Sequence, residues 1–141
     1  MATTRTAQTE WEGDLLKGTG EITLDSSGVG HFPVTWASRA EEANGKTSPE
    51  ELIAGAISSC FSMALSNSLA KAGTPSTLLT TKAAVSFQPG TGITGIHLTV
   101  EGQVSGIDED TFREAAEEAS VNCPVSQALT GTTISLTSAL A

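Results

Sequence analysis

The sequence predicts an α+β domain in which short strands precede and follow one long helix and a second helix comes before the last strand. Three observations predict it. A Ser-Pro-Glu-Glu start at residues 48–51 opens a run of apolar side chains with a 3.6-residue period. Several short stretches alternate apolar and polar residues, as half-buried strands do. The elements arrive in the order βββ-α-ββ-α-β, not in the strict alternation that builds a parallel sheet, so an antiparallel sheet around a central helix is expected. At 141 residues the chain is expected to form one domain, 1–141, large enough to bury roughly 68–70% of its unfolded surface without disulfide or metal staples.

Each element has its own justification. Between residues 9 and 34 the text is β-favourable and punctuated by glycine: residues 20–24 alternate, Asp25-Ser26-Ser27-Gly28 is turn chemistry, and residues 29–34 form the next stretch, giving a meander of two or three strands. Residues 37–47 are polar, with Asn44-Gly45 as a turn, and are expected to be a loop. Ser48 then stands at an N-cap, Pro49 at the first helical position and Glu51 at the third, which is a capping box with reciprocal hydrogen bonds. The helix carries Leu52, Ile53, Ala56, Ile57, Cys60, Phe61, Ala64, Leu65 and Leu69, with few charges on its other face, and Gly73 and Pro75 end it. It is expected to be buried on most sides. One thin sheet cannot cover that much apolar surface, so a partner subunit is expected to cover the rest.

Leu79, Thr81, Ala83, Val85 and Phe87 alternate on one strand and Ile96, Leu98, Val100 and Val104 on the next, an antiparallel hairpin with one wet face. Asp108 caps a helix whose apolar stripe is Phe112, Ala115, Ala116 and Ala119. Asn122-Cys123-Pro124 interrupts it, a short helical segment follows to Leu129, and residues 133–138 alternate as a last strand.

A net charge of −9 repels phosphate backbones and anionic membrane surfaces, so neither nucleic acid nor membrane is expected as a partner. Apolar runs are interrupted by Ser, Thr or Gly well short of a membrane span, and residues 1–11 lack a signal-like apolar block, so a cytoplasmic location is expected. Two cysteines are too few for the framework of a small secreted domain. Two isolated histidines, His31 and His97, with two distant cysteines do not have metal-ligand spacing, and no cofactor motif is present, so neither metal nor cofactor is expected. The acidic cluster Asp108, Glu109, Asp110, Glu114, Glu117 and Glu118 reads as a solvated helix face.

By position alone, Cys60 on an apolar helix is a small hydrophobe with a normal or raised pKa, whereas Cys123, before a proline at a helix start, is equally well a buried turn residue or a favoured thiolate. The words around both cysteines add a resemblance. Ser48-Pro49-Glu50-Glu51-Leu52-Ile53-Ala54-Gly55-Ala56-Ile57-Ser58-Ser59-Cys60-Phe61-Ser62-Met63-Ala64-Leu65, with Val121-Asn122-Cys123-Pro124-Val125-Ser126-Gln127-Ala128-Leu129 far downstream, resembles the osmotically inducible protein C and organic hydroperoxide resistance (OsmC/Ohr) superfamily. The resemblance covers nearly the whole chain.

It implies an OsmC-like fold, an intertwined homodimer and a thiol peroxidase acting on organic hydroperoxides. Cys60 would become a sulfenic acid, Cys123 would condense with it to a disulfide, and an external dithiol, lipoyl-type in this family, would restore both thiols. A thiolate on an apolar helix needs a nearby cation. Arg5 lies in a polar tail and Arg113 on the acidic helix, where a solvated ion pair is expected. Arg39 in Trp36-Ala37-Ser38-Arg39 resembles the site arginine of the osmotically inducible branch, while Lys17-Gly18 stand where the hydroperoxide-resistance branch has its arginine. The resemblance makes Glu50 the carboxylate that holds Arg39.

Ten helical residues rise ~15 Å and turn ~1000°, so Glu50 and Cys60 of one helix cannot meet, and the active sites are expected to be shared across the dimer. A different class of function, a non-catalytic redox-sensing or ligand-binding stress protein, would use the same thiols without turnover.

Overall fold

Three antiparallel strands open the structure, a computed structural model that describes residues 1–141. Its backbone falls into two compact units, Met1–Leu52 and Ile53–Ala141. In the first, β1 (Gln8–Glu12), β2 (Thr19–Thr23) and β3 (His31–Val34) pair in that order, with Gly20 opposite both Trp11 and Val34. Ile22 and Val34 are its buried apolar side chains. Gly28, at φ +66°, takes the left-handed position of the turn between β2 and β3 that the Asp-Ser-Ser-Gly text signals.

A short helix, α1 (Trp36–Ala40), replaces the start of the loop expected over residues 37–47. The Thr35 hydroxyl accepts from the Ser38 amide (3.1 Å) and the Ser38 hydroxyl accepts from the Thr35 amide (2.9 Å). This is a capping box with serine in the place where glutamate or glutamine is usual, so the familiar sequence signature passes over it. The Ser38 hydroxyl also donates to the Thr47 carbonyl (2.8 Å), and Thr47 bridges to Val34, which ties the following loop to the sheet edge.

Helix α2 (Pro49–Lys71) starts where expected. The Ser48 hydroxyl accepts from the Glu51 amide (3.1 Å), but Glu51 turns its carboxylate to the Thr47 hydroxyl (2.6 Å) instead of returning a bond to the cap. Beyond its first turn α2 runs through the second unit. There Ile57, Phe61, Leu65 and Leu69, each four residues after the last, are at most 1% exposed. They pack with Ile96, Leu98 and Val100 of the sheet and with Phe112, Ala116 and Ala119. Burying each large member of this cluster is worth about 1.5–3 kcal/mol.

The sheet of the second unit is β4 (Ser76–Gln88), β5 (Gly92–Val104) and β6 (Ile134–Leu140), in that order. The first pair is the expected antiparallel hairpin, but β6 runs parallel to β5, Ile134 opposite Ile96 and Leu140 opposite Gly102, so the expected antiparallel sheet is mixed. The reason is the connection. Helices α3 (Glu109–Asn122) and α4 (Pro124–Ala128) carry the chain back to the end at which β5 began, and a strand entering there must run the same way. Asp108 caps α3 through the Thr111 amide (2.7 Å), and that bond holds its carboxyl below the usual range. Arg113 pairs with Asp110 (2.9 Å) on the exposed face, in the solvated role expected for it.

The faces of α2 away from its buried stripe are not covered by the single chain. By length and composition alone this helix could cross a membrane, with a mean hydropathy of 1.4 over its 18-residue window and 22% of that window buried. Ser and Gly interrupt the apolar runs but lower the window mean too little to take it out of the membrane-spanning range, which is why run lengths alone passed over it.

Gly102 marks the tightest contact of β5. A Cβ there would lie 2.6 Å from Cε1 and Cζ of the fully buried Phe112 ring. Gly102→Ala should therefore cost about 1–3 kcal/mol in urea unfolding, with part of the loss recovered by adding Phe112→Leu. Unchanged stability in the single variant would show that the ring has room to move.

Candidate active site

Cys60 and Cys123 are brought together by two different devices. Cys60 lies three residues after Ile57 and one before Phe61, at the shoulder of the buried stripe of α2, and is half-buried. Cys123 sits at a break that Pro124 enforces. The residue before a proline is driven out of the helical region, and Cys123 accordingly has φ −55°, ψ 127°, closing α3 with its amide on the Ala119 carbonyl (3.0 Å) and opening α4 as its N-cap. That turn leaves its thiol fully buried. The two thiols interact directly.

Their environments differ. Burial pushes the Cys60 thiol up and its hydrogen bond with Cys123 pushes it further, only partly offset by the Val125 amide. Burial also works against charge on Cys123. There it is outweighed by the hydrogen bond from Cys60, by the amide and hydroxyl of Ser126 and by the Val125 amide, so this thiol is brought below its ordinary value. Within one chain, ionisation is disfavoured at Cys60 and favoured at Cys123.

The other sequence-derived site residues pair in the first unit. Arg39 at the end of α1 grips Glu50 in the first turn of α2: Nε donates to Oε1 (3.0 Å) and Oε2 (3.2 Å), and Nη2 donates to Oε2 (2.9 Å). The Glu50 side chain is 8% exposed and that of Arg39 32%. A forked guanidinium matches a carboxylate in this bidentate manner, and the start of a helix favours the negative charge. Arg39 also lines an apolar cavity of about 200 Å³ with Trp11, Leu15, Ile22, Val34 and Trp36. The structure thus joins the four residues as two pairs, one in each unit. His97, expected on the wet face of its strand, is there, between the Ser135 and Thr137 hydroxyls (2.6 and 3.1 Å).

Sequence reasoning missed Ser126. The available signal was its spacing: three residues after an N-cap is the place from which a helix reaches back to its cap, and cysteine is rarely read as a cap.

Residues 42–137 match the family model described as OsmC-like protein. The chain is 41% identical over 132 residues to Peroxiredoxin OsmC of Escherichia coli (strain K12), covering 92% of each, and equally to that of Shigella flexneri. Among solved structures it resembles the organic hydroperoxide resistance protein OhrB of Bacillus subtilis (TM-score 0.68, 25% identity, 94% of this chain and 97% of the other). It also shares its fold with an organic hydroperoxide resistance protein OsmC from Legionella pneumophila (TM-score 0.70, 21% identity, 99% and 100%).

Because Glu50 is nearly buried, Arg39→Met should strand its charge and cost about 1–3 kcal/mol, less than the ~3–5 kcal/mol of a fully buried pair because Arg39 is itself a third exposed. Replacing both, Arg39→Met with Glu50→Leu, should recover part of the loss in urea unfolding. A single variant as stable as the parent would mean that water solvates Glu50 unaided.

Proposed function

This chain belongs to the OsmC-like protein family, and on that premise we propose that it is a cysteine-based peroxidase that reduces organic hydroperoxides to alcohols in stress defence. The observation that carries the proposal is the pairing of a half-buried Cys60 with a fully buried Cys123, close enough for each thiol to shift the ionisation of the other. Accessibility supports the division of roles between the two thiols. A peroxide reaches Cys60, and its thiolate attacks the distal oxygen; the O–O bond breaks, the alcohol leaves, and Cys60 becomes a sulfenic acid. Cys123, shielded from peroxide, then attacks the Cys60 sulfur, releasing hydroxide and forming the disulfide. An external dithiol, of lipoyl type, reduces that disulfide in a reducing, cytoplasmic compartment. The names of the relatives, Peroxiredoxin OsmC and organic hydroperoxide resistance protein, agree with this reading.

The first step needs a thiolate on Cys60, which burial and Cys123 disfavour within one chain. A cation brought by a second copy would reverse that balance, and Arg39, held by Glu50 and a third exposed, is the group we assign to supply it. The uncovered faces of α2, with Met63 at 72% exposure beside Leu78 at 50%, are where a second copy would bury apolar surface. We therefore read the enzyme as a homodimer in which Arg39 and Glu50 of one protomer complete the Cys60 site of the other.

One equivalent of cumene hydroperoxide should remove both thiols of a chain and form a Cys60–Cys123 disulfide, counted by mass after denaturing alkylation. With a dithiol present, consumption should continue for many turnovers, which a sensor oxidised only once would not sustain. Cys60→Ser should be inert, and Cys123→Ser should halt after one oxidation and climb to the sulfinic acid. Survival of two thiols per chain would overturn the peroxidase reading.

Unfolding and refolding inactive Cys60→Ser together with inactive Glu50→Ala should restore activity, since some heterodimers then hold one intact site. Heterodimers that form but remain inactive would put the whole site within one protomer.

A further inference from the structure

Ser126 is 3% exposed, and its hydroxyl has no hydrogen-bond partner in the dithiol form. A buried hydroxyl left unpaired costs free energy that an alanine would not, so what it can serve is a group that appears in another state of the protein. Ser126 stands at the third position of α4, three residues after the Cys123 cap, and its hydroxyl bears on the Cys123 sulfur. A neutral thiol is a weak acceptor and a thiolate a strong one. The hydroxyl is therefore idle while Cys123 is protonated and engaged once Cys123 carries charge. The titratable group that faces Cys123 is Cys60 of α2, and no charged side chain of α3, α4 or the sheet contributes.

We propose that Ser126 is a positioning residue for the resolving step, its Oγ–H donating to the Cys123 thiolate while that thiolate attacks the Cys60 sulfenic acid. The role rests on the peroxidase reading above. In the step, an electron pair of the Cys123 sulfur forms the S–S bond, the S–O bond of Cys60 breaks, and hydroxide leaves and is protonated to water; Cys123 is oxidised as the sulfenic sulfur is reduced. A donor on the thiolate raises the fraction ionised and lowers the nucleophilicity of each ion, by about half as much on a logarithmic scale.

The two effects have opposite consequences across pH. Ser126→Ala should slow single-turnover disulfide formation about threefold, for each tenfold loss of thiolate, at pH values below the Cys123 ionisation. Above it, the variant should equal or exceed the parent. Ser126→Thr, which keeps the hydroxyl, should restore the parent profile. Slowing by the same factor at every pH would mark a merely structural residue and overturn the proposal. A second measurement needs no peroxide: in a Cys60→Ser background, thiolate absorbance near 240 nm reports Cys123 alone, and adding Ser126→Ala should move its midpoint upward. An unmoved midpoint overturns the role of Ser126 whatever the peroxidase assay returns. A parent protein that forms no disulfide with peroxide overturns the peroxidase reading, and this role with it. Because the hydroxyl is unpaired in the dithiol form, Ser126→Ala should leave the Tm of the reduced protein unchanged or raised, which separates the kinetic effect from misfolding.

Discussion

The stripe of Ile57, Phe61, Leu65 and Leu69 on α2 sets the rotation of that helix against Ile96, Leu98 and Val100 of the sheet, and the rest of the chemistry depends on that rotation. A close-packed interior does not permit a helix to turn by a fraction of its circumference without opening voids. Cys60, about 60° around the helix from Ile57, is therefore held at the boundary between core and surface. Turned further in, it would be a buried thiol beyond the reach of substrate; turned further out, it would lose its contact with Cys123. Half-burial is a consequence of where the apolar residues stand in the repeat.

Pro124 supplies the complementary constraint from the other side. It stops α3, pushes Cys123 into an extended backbone conformation and starts α4 with that residue as its cap. The thiol is thereby buried, aimed at Cys60 and surrounded by donors. In this arrangement charge is disfavoured on the thiol that faces outward and favoured on the one that faces inward. A peroxidase cycle needs the outer thiol ionised first and the inner one second. The proposed arrival of Arg39 from a second copy addresses the first need, and the donors at the start of α4 address the second. In the proposed dimer, electrostatics gives one reason for assembling the site from two chains, and the ~15 Å that ten helical residues rise between Glu50 and Cys60 gives a second.

Much of the fold was legible in local text. The caps at Ser48 and Asp108, the alternation in β4, β5 and β6, and the break at Pro124 each have a local physical cause, and each forms where the text places it. The elements misread were those whose signal was unusual or not local. The capping box of α1 uses serine at its third position, so it reads as loop. The parallel pairing of β6 depends on the path of α3 and α4, which no residue within β6 encodes. Glu51 bonds to Thr47 because the preceding loop places that hydroxyl within its reach, a competitor that the capping rule does not consider.

The sequence by itself determined most element types and the family, and pointed to Arg39, Glu50, Cys60 and Cys123 as candidates, because caps, periodicity and motif words are properties of neighbours along the chain. The tertiary structure alone decided that the two thiols come close enough to shift each other's ionisation, that Arg39 holds Glu50 with both arms of its fork, and that Ser126, at the third position of the helix that Cys123 caps, is buried without a partner. Burial and hydrogen-bond geometry arise from segments distant in sequence, and a thiol's ionisation follows from what those segments place around it, so the division of charge between Cys60 and Cys123 exists only once α2, α3 and α4 have packed.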